Sequence, residues 1–185
     1  MTSLDPRAPL VLDTRELGRR PGSQREVSLT EPAPAGLGIE VLQVPEGAQV
    51  EIDLRLEAVL EGVLVTGSAR AGLEGECVRC LAEIHDDVVV TFQELYLYDD
   101  LGDQASGADD ESDDELNTLE DDLLDLEPVL RDAIVLALPF QPLCREDCLG
   151  LCPECGARLN DDPEHAHAEP IDPRWAALAD LEPEQ

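Results

Sequence analysis

The chain has 185 residues, with 12 basic against 43 acidic side chains, a formal net charge of −31 and only 3% aromatic residues. That length suits one domain, or one domain with appendages. So acidic a surface repels phosphate backbones, and so few rings exclude a stacking platform for single strands, which leaves any RNA contact local or made through a protein partner.

Every basic residue is Arg, and four of the twelve (Arg15, Arg19, Arg20 and Arg25) fall between Asp13 and Arg25. The start, Met1-Thr2-Ser3-Leu4-Asp5-Pro6, has no basic residue followed by an apolar run, so no secretory signal is expected. The longest apolar stretch, Ala133 to Leu138, is far too short to span a bilayer. A cytoplasmic chain without a membrane partner is the expectation.

Gly36 to Val44 reads as a strand that breaks at Pro45. From Val50 the pattern has period two: Val50, Ile52, Leu54, Leu56, Ala58 and Leu60 face one way, and Glu51, Asp53, Arg55, Glu57 and Glu61 the other. Glu61-Gly62 turns the chain. A second strand sets Val63, Val65, Gly67, Ala69, Ala71 and Leu73 against Leu64, Thr66, Ser68, Arg70 and Glu74. A third runs from about Ala82 through Val88-Val89-Val90 towards Tyr98. Three consecutive strands of this length predict an antiparallel meander. Cys77 and Cys80 then lie at a hairpin tip, and His85 is an exposed strand residue.

Residues 99–116 are acidic, with Asp109-Asp110-Glu111-Ser112-Asp113-Asp114-Glu115 carrying no counter-charge. They lack the apolar content that offsets the entropy of ordering, which predicts a disordered acidic loop. A helix follows, with Asp125 as N-cap and Glu127 and Pro128 in its first turn. Leu126, Leu130, Ile134 and Leu138 form its apolar face, and Pro139 stops it. The tail from Asp172 reads as a short helix bearing Trp175, Leu178 and Leu181. The fold expected is α+β: an antiparallel β-meander or partial barrel with a packed helix and a C-terminal zinc-knuckle module. Residues 1–98 form a β-rich region with the Arg segment and first Cys pair, and 117–185 the helix and Cys/His-rich module, in a single domain overall.

Six cysteines and two histidines supply the chemistry: Cys77, Cys80, Cys144, Cys148, Cys152, Cys155, His165 and His167. Thiolates two or three residues apart clamp one ion from a tight turn, and eight donors make two tetrahedral zinc sites with none left over. Three disulfides would need an oxidising compartment. Two divisions are open. Cys77 and Cys80 can join Cys144 and Cys148, leaving Cys152, Cys155, His165 and His167. Alternatively Cys77 and Cys80 join Cys152 and Cys155, leaving Cys144, Cys148, His165 and His167. The first is preferred because it makes one long-range clasp and one local site. Full sites of this kind are structural, whereas catalytic ones keep a position open.

Cys77-Val78-Arg79-Cys80-Leu81, Leu138-Pro139 before Pro142-Leu143-Cys144, Cys148-Leu149-Gly150-Leu151-Cys152-Pro153-Glu154-Cys155-Gly156, Leu159-Asn160 and Ile171-Asp172-Pro173-Arg174-Trp175-Ala176-Ala177-Leu178 together resemble the YceD family. The resemblance spans most of the chain from about residue 10. It implies a cytoplasmic bacterial protein needed for accumulation of large-subunit ribosomal RNA, hence for ribosome biogenesis, metal-binding and without an established reaction. Many bacterial relatives have Cys-x-Cys where this chain has His165 and His167; imidazole can replace thiolate at zinc.

The function expected is therefore noncatalytic, with the large-subunit precursor, its RNA or ribosomal proteins as partners. Arg15, Arg19, Arg20 and Arg25 would make a local cationic contact, unless they merely pair with surface acids. Two other classes stand beside it. A thiol-redox enzyme would use Cys-x-x-Cys, although Glu74, Glu76 and Glu83 would raise a nearby thiol pKa. A zinc-ribbon regulator would meet the transcription machinery; −31 and the lack of a basic reading helix weigh heavily against it, and leave it polymerase rather than DNA to bind.

Overall fold

The computed structural model describes residues 4–98 and 117–167. The expected loop at 99–116 and the expected helix around Trp175 lie outside the described residues.

The three long expected strands become β5 (Gln49–Ala58), β6 (Gly62–Glu76) and β7 (Glu83–Leu97) of an antiparallel sheet that also holds β2 (Gln24–Pro32), β3 (Leu37–Ile39) and β4 (Leu42–Val44). Two further short strands, β1 (Val11–Asp13) and β8 (Leu123–Asp125), pair separately. The meander is β5–β6–β7, with Ala58 opposite Val63 and Gly62 opposite Leu97. β6 is the central beam. One edge pairs with β7 over its whole length; the other pairs with β5 and then, at Glu74 and Gly75, with β4. Gly75 permits that last approach, since a Cβ there would sit 2.2 Å from the Val41 carbonyl oxygen.

Val50, Ile52, Leu54, Leu56 and Ala58 are buried, as are Val63, Val65, Ala69, Ala71 and Leu73. Leu60 departs from the expected pattern: it lies beyond β5 in the turn and is 82% exposed. The expected single strand over Gly36–Val44 is instead the hairpin β3–β4, folded back so that Leu37 meets Val44. Gly38 makes that approach possible.

The one α-helix among the described residues, α1 (Glu127–Ala137), packs against β7 and β3. Leu126, Leu130, Ile134 and Leu138 are all buried, and each full apolar side chain removed from water contributes about 1.5–3 kcal/mol. The N-cap position is Leu126 rather than Asp125. The Asp125 carboxylate nevertheless accepts from the Glu127 N–H at 2.9 Å, the i to i+2 bond an N-cap side chain makes. Leu138 takes an extended backbone before Pro139, which ends the helix. No helix among the described residues is long and apolar enough to cross a membrane.

Candidate metal centres

Cys77 follows the last residue of β6, and Cys80 lies three residues before β7, so one hairpin tip carries both. The tip is tight: Cys77 N–H donates to Ala82 O at 2.8 Å and Leu81 N–H to Cys77 O at 2.9 Å, with Leu81 at φ +55°. Cys77 and Cys80 are 0% and 1% exposed. The segment after α1 docks there through Val78 N–H, which donates to Pro142 O at 3.0 Å, and brings in Cys144 and Cys148. Leu143, Leu151, Ala82 and Ile84 pack around the sulfurs.

The four sulfurs of Cys77, Cys80, Cys144 and Cys148 lie within 4.8 Å of one another. Cys77 Sγ is 3.8 Å from Cys148 Sγ, and Cys80 Sγ is 3.5 Å from Cys144 Sγ. A tetrahedron with zinc–sulfur bonds of about 2.3 Å has edges of about 3.8 Å, so the donor set fits that ion. All six cysteines are free, and these separations are far beyond a disulfide bond of about 2.05 Å.

Burial pushes the Cys77 thiol up, but N–H donors from Cys144, Cys80 and Arg79 outweigh it and bring it down to about 6. Cys148 is lowered too, chiefly by the Asn160 side-chain amide. Cys80 is raised by burial, and Cys144 is raised to about 12, first by its contact with the Cys80 sulfur and then by burial. Sulfurs this close thus tilt Cys77 and Cys148 towards the thiolate and Cys80 and Cys144 towards the thiol. A divalent cation relieves the repulsion and leaves coordinated thiols deprotonated.

The second cluster begins four residues later. Gly156 N–H donates to Cys152 O at 2.9 Å and Cys152 N–H to Ala157 O at 2.8 Å, closing a knuckle around Cys155. Gly156 has φ +73°, which a glycine adopts without a Cβ penalty. The Cys152 thiol is lowered by the N–H groups of Cys155 and Glu154. His165 Nε2 and His167 Nε2 stand 3.2 and 3.3 Å from Cys155 Sγ and 2.9 Å from each other. The four donor atoms of Cys152, Cys155, His165 and His167 also lie within 4.8 Å of one another. The structure therefore brings the eight side chains together in the first of the two divisions.

Neither imidazole is oriented by its donor nitrogen alone. His165 Nδ1 faces the Asp162 carboxylate at 3.8 Å, and His167 Nδ1 faces that of Glu154 at 3.4 Å. A carboxylate facing the far nitrogen favours a proton there, which leaves Nε2 to bind an ion. Spacing gave no sign of these acids in so acidic a chain. Nor did it single out Asn160, whose Nδ2 donates to Cys148 Sγ at 3.1 Å. His85 is an exposed residue of β7, 4.0 Å from Glu83 and apart from both clusters.

The arginine segment sits at the other end of the sheet. Gly22 N–H donates to Ala58 O and Ala58 N–H to Ser23 O, beside the β5–β6 turn. β6 runs 15 residues from that turn to the cysteines, about 45 Å along the strand. Arg15 pairs with Asp13, Arg19 with Asp122 and Arg25 with Glu16, each at 3.0 Å. Arg19 also lies 4.6 Å over the ring of Tyr98. Arg20 is exposed and makes no ion pair with a described residue.

The family model of the large ribosomal RNA subunit accumulation protein YceD matches residues 65–182, a span holding both clusters. The chain belongs to the YceD family. An uncharacterized protein of Mycobacterium tuberculosis is 45% identical over 176 residues, covering 94% of this chain and 82% of that protein. An uncharacterized protein of Mycobacterium leprae is 41% identical over 174 residues, 94% of this chain and 78% of its own. The uncharacterized protein YlbN of Bacillus subtilis is 29% identical over 106 residues, covering 57% of this chain and 58% of its own. No solved structure matches the chain. This YceD-family member thus joins an antiparallel sheet to two Cys/His groups able to hold metal ions.

Proposed function

We propose that this chain is a noncatalytic cytoplasmic factor for accumulation of large-subunit ribosomal RNA, and so for large-subunit biogenesis. Two structural zinc ions are held by Cys77, Cys80, Cys144 and Cys148 and by Cys152, Cys155, His165 and His167. The observation that carries this reading is the YceD match across residues 65–182, the stretch that supplies every candidate ligand. The donor sets support it: four N/S ligands apiece fill a tetrahedral shell, and a mixed Cys/His group suits zinc better than an iron–sulfur cluster. Zinc in such a module supplies folding free energy, about 10–16 kcal/mol in small zinc-binding peptides.

Partners are the large-subunit precursor, its RNA or its ribosomal proteins. Arg20, exposed and unpaired among the described residues, is the foremost cationic contact of the segment Arg15, Arg19, Arg20 and Arg25, whose other members already face acids. The thiol-redox alternative draws on the lowered Cys77 beside a raised Cys80. Both sulfurs are buried, however, and a reactive thiol needs access to its substrate.

The deciding experiment is a sucrose-gradient ribosome profile of cells depleted of the protein, with ribosomal RNA quantified across it. Selective loss of large subunits and their RNA is expected, with rescue by wild type but not by a C77S/C80S variant. Normal subunit ratios would reject the role.

A further inference from the structure

The stretch from Arg158 to Asn160 lies in the loop between Cys155 and His165, two donors of the second cluster, yet its bonds lead towards the first. Leu159 N–H donates to Gly150 O at 3.0 Å, and Leu151 and Arg158 form a β-bridge. The Arg158 guanidinium donates to Leu81 O at 3.1 Å, beside Cys80. Asn160 is engaged at both ends of its amide. Oδ1 accepts from Leu149 N–H at 2.8 Å, while Nδ2 donates to Cys148 Sγ at 3.1 Å and lies 3.9 Å from Cys144 Sγ.

A loop closed at one cluster therefore presents an amide donor to a sulfur of the other. An N–H donor to a coordinated thiolate spreads its negative charge and fixes its orientation, as outer-shell partners do at metal sites generally. Closing the loop in advance also spares the entropy of holding Asn160 in place.

We propose that Asn160 is a positioning residue that couples the two metal sites. An ion held by Cys152, Cys155, His165 and His167 strengthens retention of the ion held by Cys77, Cys80, Cys144 and Cys148. Linkage makes the effect reciprocal, so the two ions load cooperatively. The inference rests on the reading of both clusters as metal sites.

The test is chelator competition on the full-length protein loaded with zinc, and with cobalt(II) as a spectroscopic probe. The four-thiolate site is recognised by its stronger sulfur-to-metal absorption. N160A removes the whole amide; N160D keeps an oxygen for Leu149 N–H but removes the donor to sulfur, and carries the test should N160A not fold. Both are expected to weaken the four-thiolate site by about 10–100-fold, the usual effect of losing an outer-shell partner. The sulfur-to-cobalt band should move to longer wavelength, a change that loosened packing alone would not produce. H165A/H167A should weaken the four-thiolate site in the wild-type background and do so less where Asn160 is already replaced. Unchanged affinity and spectrum in N160D, or an equal effect of H165A/H167A in both backgrounds, overturns the coupling while leaving the metal sites standing. A wild-type protein that takes up neither zinc nor cobalt overturns the metal reading and the coupling with it.

Discussion

Tyr96 is 1% exposed, and its hydroxyl donates to the Asp125 carbonyl at 2.7 Å, tying β7 to the entrance of α1. Removing that hydroxyl leaves a carbonyl short of its donor, so Y96F is expected to cost about 1–2 kcal/mol in chemical denaturation at neutral pH. Burial, followed by the nearby Glu94 and Asp125 carboxylates, raises the phenol well above its ordinary value of 10.0. Below pH about 10 the phenol is protonated in both folded and unfolded chains, and its contribution is fully present. Above that the unfolded chain ionises first, so stability falls as pH rises towards the folded value. Wild type should therefore lose stability more steeply than Y96F between pH about 9 and about 11, and parallel curves would reject the assignment. Single polar residues of this kind left little trace in the sequence. Cysteines two or three residues apart announce themselves by type and spacing, whereas Asn160, Asp162 and Glu154 are common residues whose roles appear only once the loop has folded.

At the scale of elements, what was legible was what buries one clean face. β5 and β6 alternate without exception over Val50–Ala58 and Val63–Leu73, and α1 with its two capping residues presents four buried leucine and isoleucine positions at helical spacing. β2 escaped notice because its inward positions include Arg25 and Glu31, half-buried beside Val27 and Leu29, which blur the alternation. β1 and β8 are three residues each, too short for any period to show, and they exist only because distant stretches meet. The β3–β4 reversal depends on the strand-to-strand approach at Gly38, a tertiary fact. The clasp between hairpin tip and post-helix segment belongs to this scale also. With the metals stripped by chelator, the β5–β6–β7 ladder keeps its own hydrogen bonds, but the segment after Pro139 has turn bonds and scattered links to the hairpin tip rather than a continuous ladder. Trypsin should then cut after Arg145 and Arg158 at least about tenfold faster than in the loaded protein. An unchanged cleavage pattern would show that the module stands without its ions.

Across the whole molecule, the charge of −31 acts on every contact, and nine of the acids lie between residues 99 and 116. The ends of that stretch are joined within the described residues: Leu97 N–H donates to Asn117 O at 2.9 Å, and Leu119 N–H to Leu97 O at 2.8 Å. Replacing 99–116 by four glycine and serine residues should therefore leave the fold intact and raise stability by about 1 kcal/mol, since shorter closures cost less entropy. A drop of several kcal/mol would mean that the excursion contributes contacts of its own. The long β6 has a consequence as well. It acts as a strut, with arginines at one end and sulfurs at the other, about 45 Å apart along the strand. A small ligand or short peptide reaches one end alone. Only a partner long enough to span that distance would touch both, and with one end seated the second would meet its target at a raised effective concentration.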